Sequence, residues 1–135
     1  MIPLDPEEEE ILKRFVNSKR IKGTYFMDVG VGFKGGEYGI VDAVCIENFE
    51  PNYEPRILPS KWWRILLDRI RGRDVWLLEV KKRLDFEAIG QILTYSLYFP
   101  KVWNVSVKGR GIICEEVDEA LEEVCHEYQI TVFPI

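Results

Sequence analysis

The chain has 135 residues, of which 47% are hydrophobic, 13% aromatic and 30% charged, with a net charge of −5. That length and apolar content give one domain with a sizeable core and exclude a disordered chain. No apolar run approaches the roughly 20 residues of a membrane span, so a membrane partner is not expected.

The N-terminal Met1-Ile2-Pro3-Leu4-Asp5-Pro6, followed by four glutamates, lacks the basic start and apolar centre of a signal peptide, and the chain reads as cytoplasmic. Residues 7–20 read as a helix. Asp5 is placed to cap it and Pro6 to occupy its first turn. Glu7 to Glu10 lie at the positive end of its dipole, and Ile11, Leu12, Phe15 and Val16 form its apolar stripe.

Residues 24–33 and 37–47 read as two strands joined at Gly35-Gly36, a hairpin. Gly30-Val31-Gly32-Phe33-Lys34-Gly35 fits the G-x-G-x-x-G pattern of dinucleotide sites, which requires a helix to open at the third glycine. Gly36-Glu37-Tyr38-Gly39 is a poor helix start, and the turn reading wins. The second strand carries one charge, Asp42, among small and aliphatic neighbours. A lone carboxylate there needs a partner or an ion.

Residues 48–59, with prolines at 51, 55 and 59, read as loop. A helix is expected from Ser60 to Ile70. Its adjacent Trp62 and Trp63 point about 100° apart, so they do not share one core. Residues 74–83 form a strand rich in β-branched and aromatic residues. Its alternation puts Trp76, Leu78 and Val80 on one face and Val75, Leu77, Glu79 and Lys81 on the other. Asp85 to Phe99 reads as a helix ending before Pro100, with Phe86, Ile89, Leu93 and Leu97 as its apolar face and Gln91 and Tyr95 together on another. A strand lies within Lys101–Cys114, including Val102 and Trp103, with Lys108–Gly111 as either a bulge or a turn. Glu115 to Tyr128 reads as an acidic helix with Val117, Ala120, Leu121, Val124 and Cys125 inward. Ile130 to Phe133 is a last strand. The order implies an α/β fold with a mixed central sheet flanked by helices, the last three strands running parallel.

The three cysteines, Cys45, Cys114 and Cys125, are odd in number with no C-x-x-C pair, which speaks for buried thiols rather than disulfides or structural zinc. Two Gln and four Asn beside 30% charged residues hint at a thermophilic source. Charge is unevenly spread. The segment from Arg56 to Arg83 carries a net +6 and leaves the remainder at −11. A basic region on an acidic chain can bind phosphate; it can equally be a solvated surface.

Asp42 within a central strand, Glu79-Val80-Lys81 at the end of the next and Gln91-x-x-x-Tyr95 on the helix that follows form one constellation. In it the chain resembles the PD-(D/E)XK nuclease superfamily, most closely the branches with RecB-like exonuclease domains and archaeal Holliday junction resolvases. The resemblance covers the chain from about residue 7 onward, with Val41 where the family motif has Pro and a likeness to an insertion at residues 50–72. It implies a restriction-endonuclease-like fold and a Mg²⁺ (or Mn²⁺) ion held by Asp42, Glu79 and the carbonyl of Val80. It implies water orientation by Lys81, positioning by Gln91, and hydrolysis of DNA, more readily than RNA, by in-line attack of a metal-activated water. Tyr95, Lys82, Arg83, Arg71 and Arg73 are then candidate substrate contacts, Glu10 a candidate addition to the site, and a homodimer a candidate assembly. Chemistry supports these residue types independently, because Mg²⁺ is commonly held by one or two carboxylates while keeping several waters. A nuclease-like fold that binds nucleic acid without cleaving it is the alternative. His126 is the single histidine, and no serine or zinc hydrolase arrangement is present.

Overall fold

The first helix, α1 (Pro6–Asn17), begins with the capping box that its sequence invites. The Asp5 carboxylate accepts from the Glu8 amide at 2.8 Å, and the Glu8 carboxylate accepts from the Asp5 amide at 3.2 Å. The computed structural model describes residues 3–50 and 54–135. After α1 come β1 (Thr24–Gly32), β2 (Tyr38–Ile46), β3 (Arg56–Leu58), α2 (Lys61–Ile65), α3 (Leu67–Ile70), β4 (Asp74–Arg83), α4 (Phe86–Trp103), β5 (Ser106–Glu116), α5 (Glu119–Glu127) and β6 (Thr131–Pro134). The fold is α/β, with a six-stranded mixed sheet in the order β3-β1-β2-β4-β5-β6. β1 and β2 form an antiparallel hairpin, β2 and β4 are antiparallel, and β4, β5 and β6 run parallel. Among the described residues no helix is long and apolar enough to cross a membrane.

Strand alternation divides the core into two layers. Leu78 and Val80 of β4, with Tyr25, Ala43 and Cys45, meet Ile11, Leu12, Phe15 and Val16 of α1. Val75 and Leu77 face the other way and pack with Phe26, Val44 and Ile46 against Ala88, Ile92 and Phe99 of α4. The three cysteines are buried free thiols.

The β1–β2 turn carries Gly35 and Gly36 at φ of 92° and 87°, and β2 rather than a helix follows, so the G-x-G-x-x-G match is a hairpin turn. Residues 54–72 are built into the fold. Arg56–Leu58 pairs parallel to β1 as an edge strand, an element the loop reading lacked, and Trp63 and Ile70 are buried in the core. Pro51 and Asn52, read as loop and as part of an insertion, lie outside the described residues, as do Met1 and Ile2. The helix expected over 60–70 is two short helices broken at Leu66, and the Ser60 side chain makes no capping hydrogen bond. Trp63 is buried and Trp62 exposed, as their angular separation requires.

Three expectations for the C-terminal half are corrected, and one open alternative is decided. α4 runs through Pro100 to Trp103, so Val102 and Trp103 are helical; Asn104, in the left-handed region, ends it. Pro100 forfeits only the bond that its amide would have donated to the Ser96 carbonyl, and just three helical residues follow it. The buried face of α4 is Ala88, Ile89, Ile92, Tyr95 and Phe99, whereas Phe86 and Leu97 point to solvent. The Lys108 region is a bulge, since Val75 pairs with Val107 and Trp76 with Gly109. The acidic helix starts only at Glu119, because Glu115 and Glu116 complete β5; Leu121 and Cys125 are buried, and Val124 is exposed.

Candidate active site

The β2–β4 ladder pairs Cys45 with Trp76, Val44 with Leu77 and Ala43 with Leu78. Continuing that register sets Asp42 opposite Glu79, and there the backbone ladder stops. Side chains take it over. The Asp42 amide donates to Glu79 Oε2 at 3.0 Å, and the Val80 amide donates to Asp42 Oδ2 at 2.8 Å. Each carboxylate thus satisfies a backbone donor that the diverging strands leave open. The second oxygens, Asp42 Oδ1 and Glu79 Oε1, accept no hydrogen bond from the described residues.

Both carboxylates line a cavity of about 320 Å³ between the N-terminus of α1, the ends of β2 and β4, and α4. Asp5, Glu8, Lys81, Glu87, Gln91 and Tyr95 complete its polar lining. Five carboxyl groups therefore face one ammonium. Glu79 is 1% exposed. Burial pushes its pKa well above the usual carboxylate range, with the Asp42 charge adding to the rise and the Asp42 amide opposing it. Burial likewise pushes Asp42 up to about 7, opposed by the Val80 amide and reinforced by Glu8 and Asp28. Two close carboxylates in low dielectric do not both ionise readily without a cation.

Lys81 reaches the cavity rim, but its Nζ lies 3.4 Å from Glu87 Oε1 and 3.8 Å from Asp85 Oδ2. Burial acts to lower its pKa, and these two carboxylates more than offset it, so the ammonium form is favoured. Gln91 donates through Nε2 to Glu87 Oε1 at 3.4 Å, while its buried Oε1 has no partner among the described residues. Tyr95 is buried, and burial, with Glu79 and Asp42 nearby, pushes its phenol up to about 12. The ring needs Gly39: a Cβ there would come within 2.5 Å of Tyr95 Cε1 and 2.8 Å of Phe33 Cζ.

The structure thus brings together Asp42, Glu79, Lys81, Gln91 and Tyr95, and Val80 contributes its amide. It does not bring in Glu10, which is exposed; Glu8 is the α1 carboxylate that lines the cavity. Within four consecutive glutamates only the start of the helix decides which one faces inward, and Asp5 as cap fixes Glu8 at the third position. Lys82 and Arg83 continue β4 past the cavity but are paired, Lys82 with Glu7 at 2.6 Å and Arg83 with Asp118 at 3.8 Å. Arg71 and Arg73 lie at the opposite end of β4, roughly 20 Å from Glu79 by strand rise. Arg73 Nη2 donates to the carbonyls of Glu47 and Asn48 and its guanidinium sits over the Phe49 ring, while Arg71 pairs with Asp68. The basic segment is thus largely occupied in holding the fold.

Asp28 was not singled out from the sequence. It lies opposite Asp42 in the β1–β2 register at a φ of 55°, and its Oδ1 accepts from the Leu4 amide at 3.1 Å. A charge inside the apolar run of β1 is the same signal that marks Asp42. Burial raises its pKa, the Leu4 amide lowers it and Glu9 raises it.

Among the described residues no group of three or more His, Cys, Asp or Glu side chains is placed to hold a metal ion. The donors present are a pair of hard oxygens, Asp42 Oδ1 and Glu79 Oε1, in an acidic cavity. That set fits an ion such as Mg²⁺, which takes one or two carboxylates and keeps its waters, and does not fit zinc or another ion that wants nitrogen or sulfur. No protein-family model matches the chain, and no curated protein and no solved structure does.

Proposed function

We propose that the protein is a divalent-cation-dependent nuclease that hydrolyses phosphodiester bonds in DNA, with Asp42 and Glu79 as the cation ligands. The observation that carries this reading is the reciprocal brace between β2 and β4. It fixes both carboxylates against backbone amides and leaves one oxygen of each free at a cavity. The resemblance of Asp42, Glu79-Val80-Lys81 and Gln91-x-x-x-Tyr95 to the PD-(D/E)XK pattern supports it from the sequence.

A bound Mg²⁺ would supply Lewis acidity toward the phosphate and lower the pKa of a coordinated water. The chain's own residues do the rest. Asp42 and Glu79 surrender their protons and hold position through the Val80 and Asp42 amides. Lys81, a cation at neutral pH, attracts the scissile phosphate and orients water; its favoured ammonium form makes it a poor general base. Gln91 presents a buried carbonyl oxygen without a partner among the described residues, which can accept from a water or from the substrate. Asp5, Glu8 and Glu87 repel a polyanion until a cation is present, so cation binding should precede substrate binding.

A specific observation favours a second reading, binding without cleavage: the Lys81 ammonium is turned toward Asp85 and Glu87. One experiment separates the two. Labelled linear, single-stranded and four-way-junction DNA are incubated with the protein in Mg²⁺, Mn²⁺ or EDTA, alongside the Asp42→Asn and Glu79→Gln variants. Cation-dependent cleavage lost in both variants supports the nuclease. Binding without cleavage in every condition establishes the second reading, and cleavage that survives both substitutions removes the site assignment.

A further inference from the structure

Of the nine cationic side chains between Arg56 and Arg83, seven are engaged: Arg56, Arg71, Lys81, Lys82 and Arg83 meet carboxylates, and Arg69 and Arg73 donate to backbone carbonyls. Lys61 and Arg64 remain, with neither a carboxylate nor a carbonyl partner among the described residues. They stand three apart on α2 and therefore on one side of it.

Between them in sequence, Trp63 turns the other way. It is 1% exposed, its ring packed edge-on against Phe26, Phe99 and Trp103. Its buried Nε1–H has no acceptor among the described residues. An indole nitrogen only donates, and a buried donor without a partner is costly. Trp63, Lys61 and Arg64 border one cavity of about 190 Å³, which lies between α2 and the edge of β1 beyond the last pairing with β3. The Ser60 hydroxyl, which caps no helix amide, borders it too. The Arg64 guanidinium is held 5.3 Å over the Trp103 ring, and that ring is fixed in turn by Trp103 Nε1, which donates to the Gly30 carbonyl at 2.8 Å. Asp28, the one carboxylate at the cavity, accepts from the Leu4 amide at 3.1 Å.

We propose that this cavity is a phosphate-binding site, with Lys61, Arg64 and the Trp63 indole N–H as donors to one phosphate group. Its volume falls below the roughly 300–1,000 Å³ of cavities that enclose drug-sized ligands, and so suits an ion-sized group and not a nucleobase. A single water accepts from two donors at most, whereas a phosphate offers several oxygens and the charge that two unpaired cations call for. The planar guanidinium, held on the Trp103 ring, presents its fork ready-made.

Two sources carry this chemistry, a free phosphate ion and a phosphate of a nucleic-acid strand. The second rests on the nuclease reading, and the sheet gives it a distance. Gly30 borders this cavity and pairs with Ile40, which borders the carboxylate cavity. The edge of β1 is two strand spacings, roughly 10 Å, from the point where β2 and β4 part. That is about three nucleotides at a duplex rise of about 3.4 Å. Gly30 is exposed between the two cavities and has no side chain to obstruct a strand crossing from one to the other.

The test is the ¹H–¹⁵N resonance of the Trp63 indole, assigned through its contacts to the Phe26 and Phe99 rings, in the full chain. Millimolar inorganic phosphate should shift it saturably, and sodium chloride of equal ionic strength should not. Lys61→Gln combined with Arg64→Gln should abolish the shift. Both side chains are exposed, so the double variant should melt as the wild type does and keep the phosphate-free position of the resonance. A single-stranded deoxyoligonucleotide, added in Ca²⁺ to offset the carboxylates of the neighbouring cavity, separates the sources. If it moves the resonance, and the double variant binds it about tenfold more weakly with a salt slope smaller by about one, the strand occupies the site. If inorganic phosphate alone moves the resonance, the site holds a free phosphate ion. A resonance that neither ligand moves, or that moves equally in the double variant, overturns the proposal. No cleavage is read, so failure of the nuclease reading leaves the phosphate site standing.

Discussion

Asp42 and Glu79 each hold a backbone amide at the point where β2 and β4 part: Glu79 takes the amide of Asp42, and Asp42 takes that of Val80. The brace is structural and the strain it stores is electrostatic. Both carboxyls have raised pKa values, burial being the main cause in each case. For Asp42 the folded value is about 7, against an ordinary value of 3.8 for an unperturbed aspartate. Between those values the folded protein binds a proton that the unfolded chain has released, so stability is greatest below about pH 4 and falls as pH rises to about 7. Glu79 acts in the same direction. Glu47, which Lys108 holds low, acts in the opposite direction, so the whole-protein profile mixes signs.

The Asp42→Asn variant isolates the effect. The amide keeps an oxygen to accept from Val80 and has no proton to lose. In EDTA it should match the wild type near pH 4 and exceed it at pH 8 by on the order of 2 kcal/mol. Urea denaturation at the two pH values measures this. Equal differences at both would show that Asp42 ionises normally in the fold.

A cation at the same carboxylates must reverse the cost. Cation binding competes with protonation, so Mg²⁺ or Mn²⁺ should raise the melting temperature of the wild type at pH 8, little at pH 5, and not at all in Glu79→Gln. At a free cation concentration of 100 times the dissociation constant the gain is about 2.7 kcal/mol. Calorimetric scans with and without the ion give the answer; the same shift in Glu79→Gln would place the ion elsewhere.

Gly39 carries a prediction that only the structure supplies. A Cβ there would overlap the Tyr95 and Phe33 rings, so Gly39→Ala should cost about 1–3 kcal/mol. In a Tyr95→Ala background part of that penalty should vanish, since one of the two rings that overlap the methyl is gone and Phe33, stacked on Tyr95, gains room to move. A double-mutant cycle by urea denaturation reads the coupling. Additive costs would mean that Phe33 or the backbone of β2, and not the Tyr95 ring, resists the substitution.

Much of the fold and the site is legible in the sequence where one physical signal dominates. Alternation along residues 74–83 places Glu79 and Lys81 on the α4 face, and an Asp within an apolar strand marks Asp42. Asp5 and Pro6 announce α1. The signals fail where two are equal or where none exists. Apolar residues on both sides of α4 leave periodicity unable to choose the buried face: of the stripe it selects, Ile89 is buried and Leu93 packs half-buried on the core, while Phe86 and Leu97 turn outward. Four adjacent glutamates give no reason to prefer Glu8 to Glu10. Pro100 reads as a stop only if its cost is weighed as for a helix interior, although it sits in the last turn. Sequence proximity to β4 groups Arg71 and Arg73 with the site, and the length of the strand undoes that grouping.

The last prediction concerns the direction in which Lys81 points. Its ammonium lies 3.4 Å from Glu87 Oε1, which holds it at the start of α4 and not over Asp42 and Glu79. If it orients water and phosphate during cleavage, it must exchange that carboxylate for the substrate's phosphate, and the tether then opposes catalysis. Lys81→Met should lower cation-dependent cleavage by about 10²–10³-fold, the range for removing one preorganised electrostatic donor. Glu87→Gln should leave cleavage unchanged or raise it, and should lower the Lys81 pKa by removing one of the charges that lift it. Single-turnover rates of the two variants, with ¹⁵N chemical shifts of the Lys81 ammonium against pH, test both halves. A loss of cleavage in Glu87→Gln as deep as in Lys81→Met would mean that the pair acts as a unit, with Glu87 part of the machinery and not a brake on it.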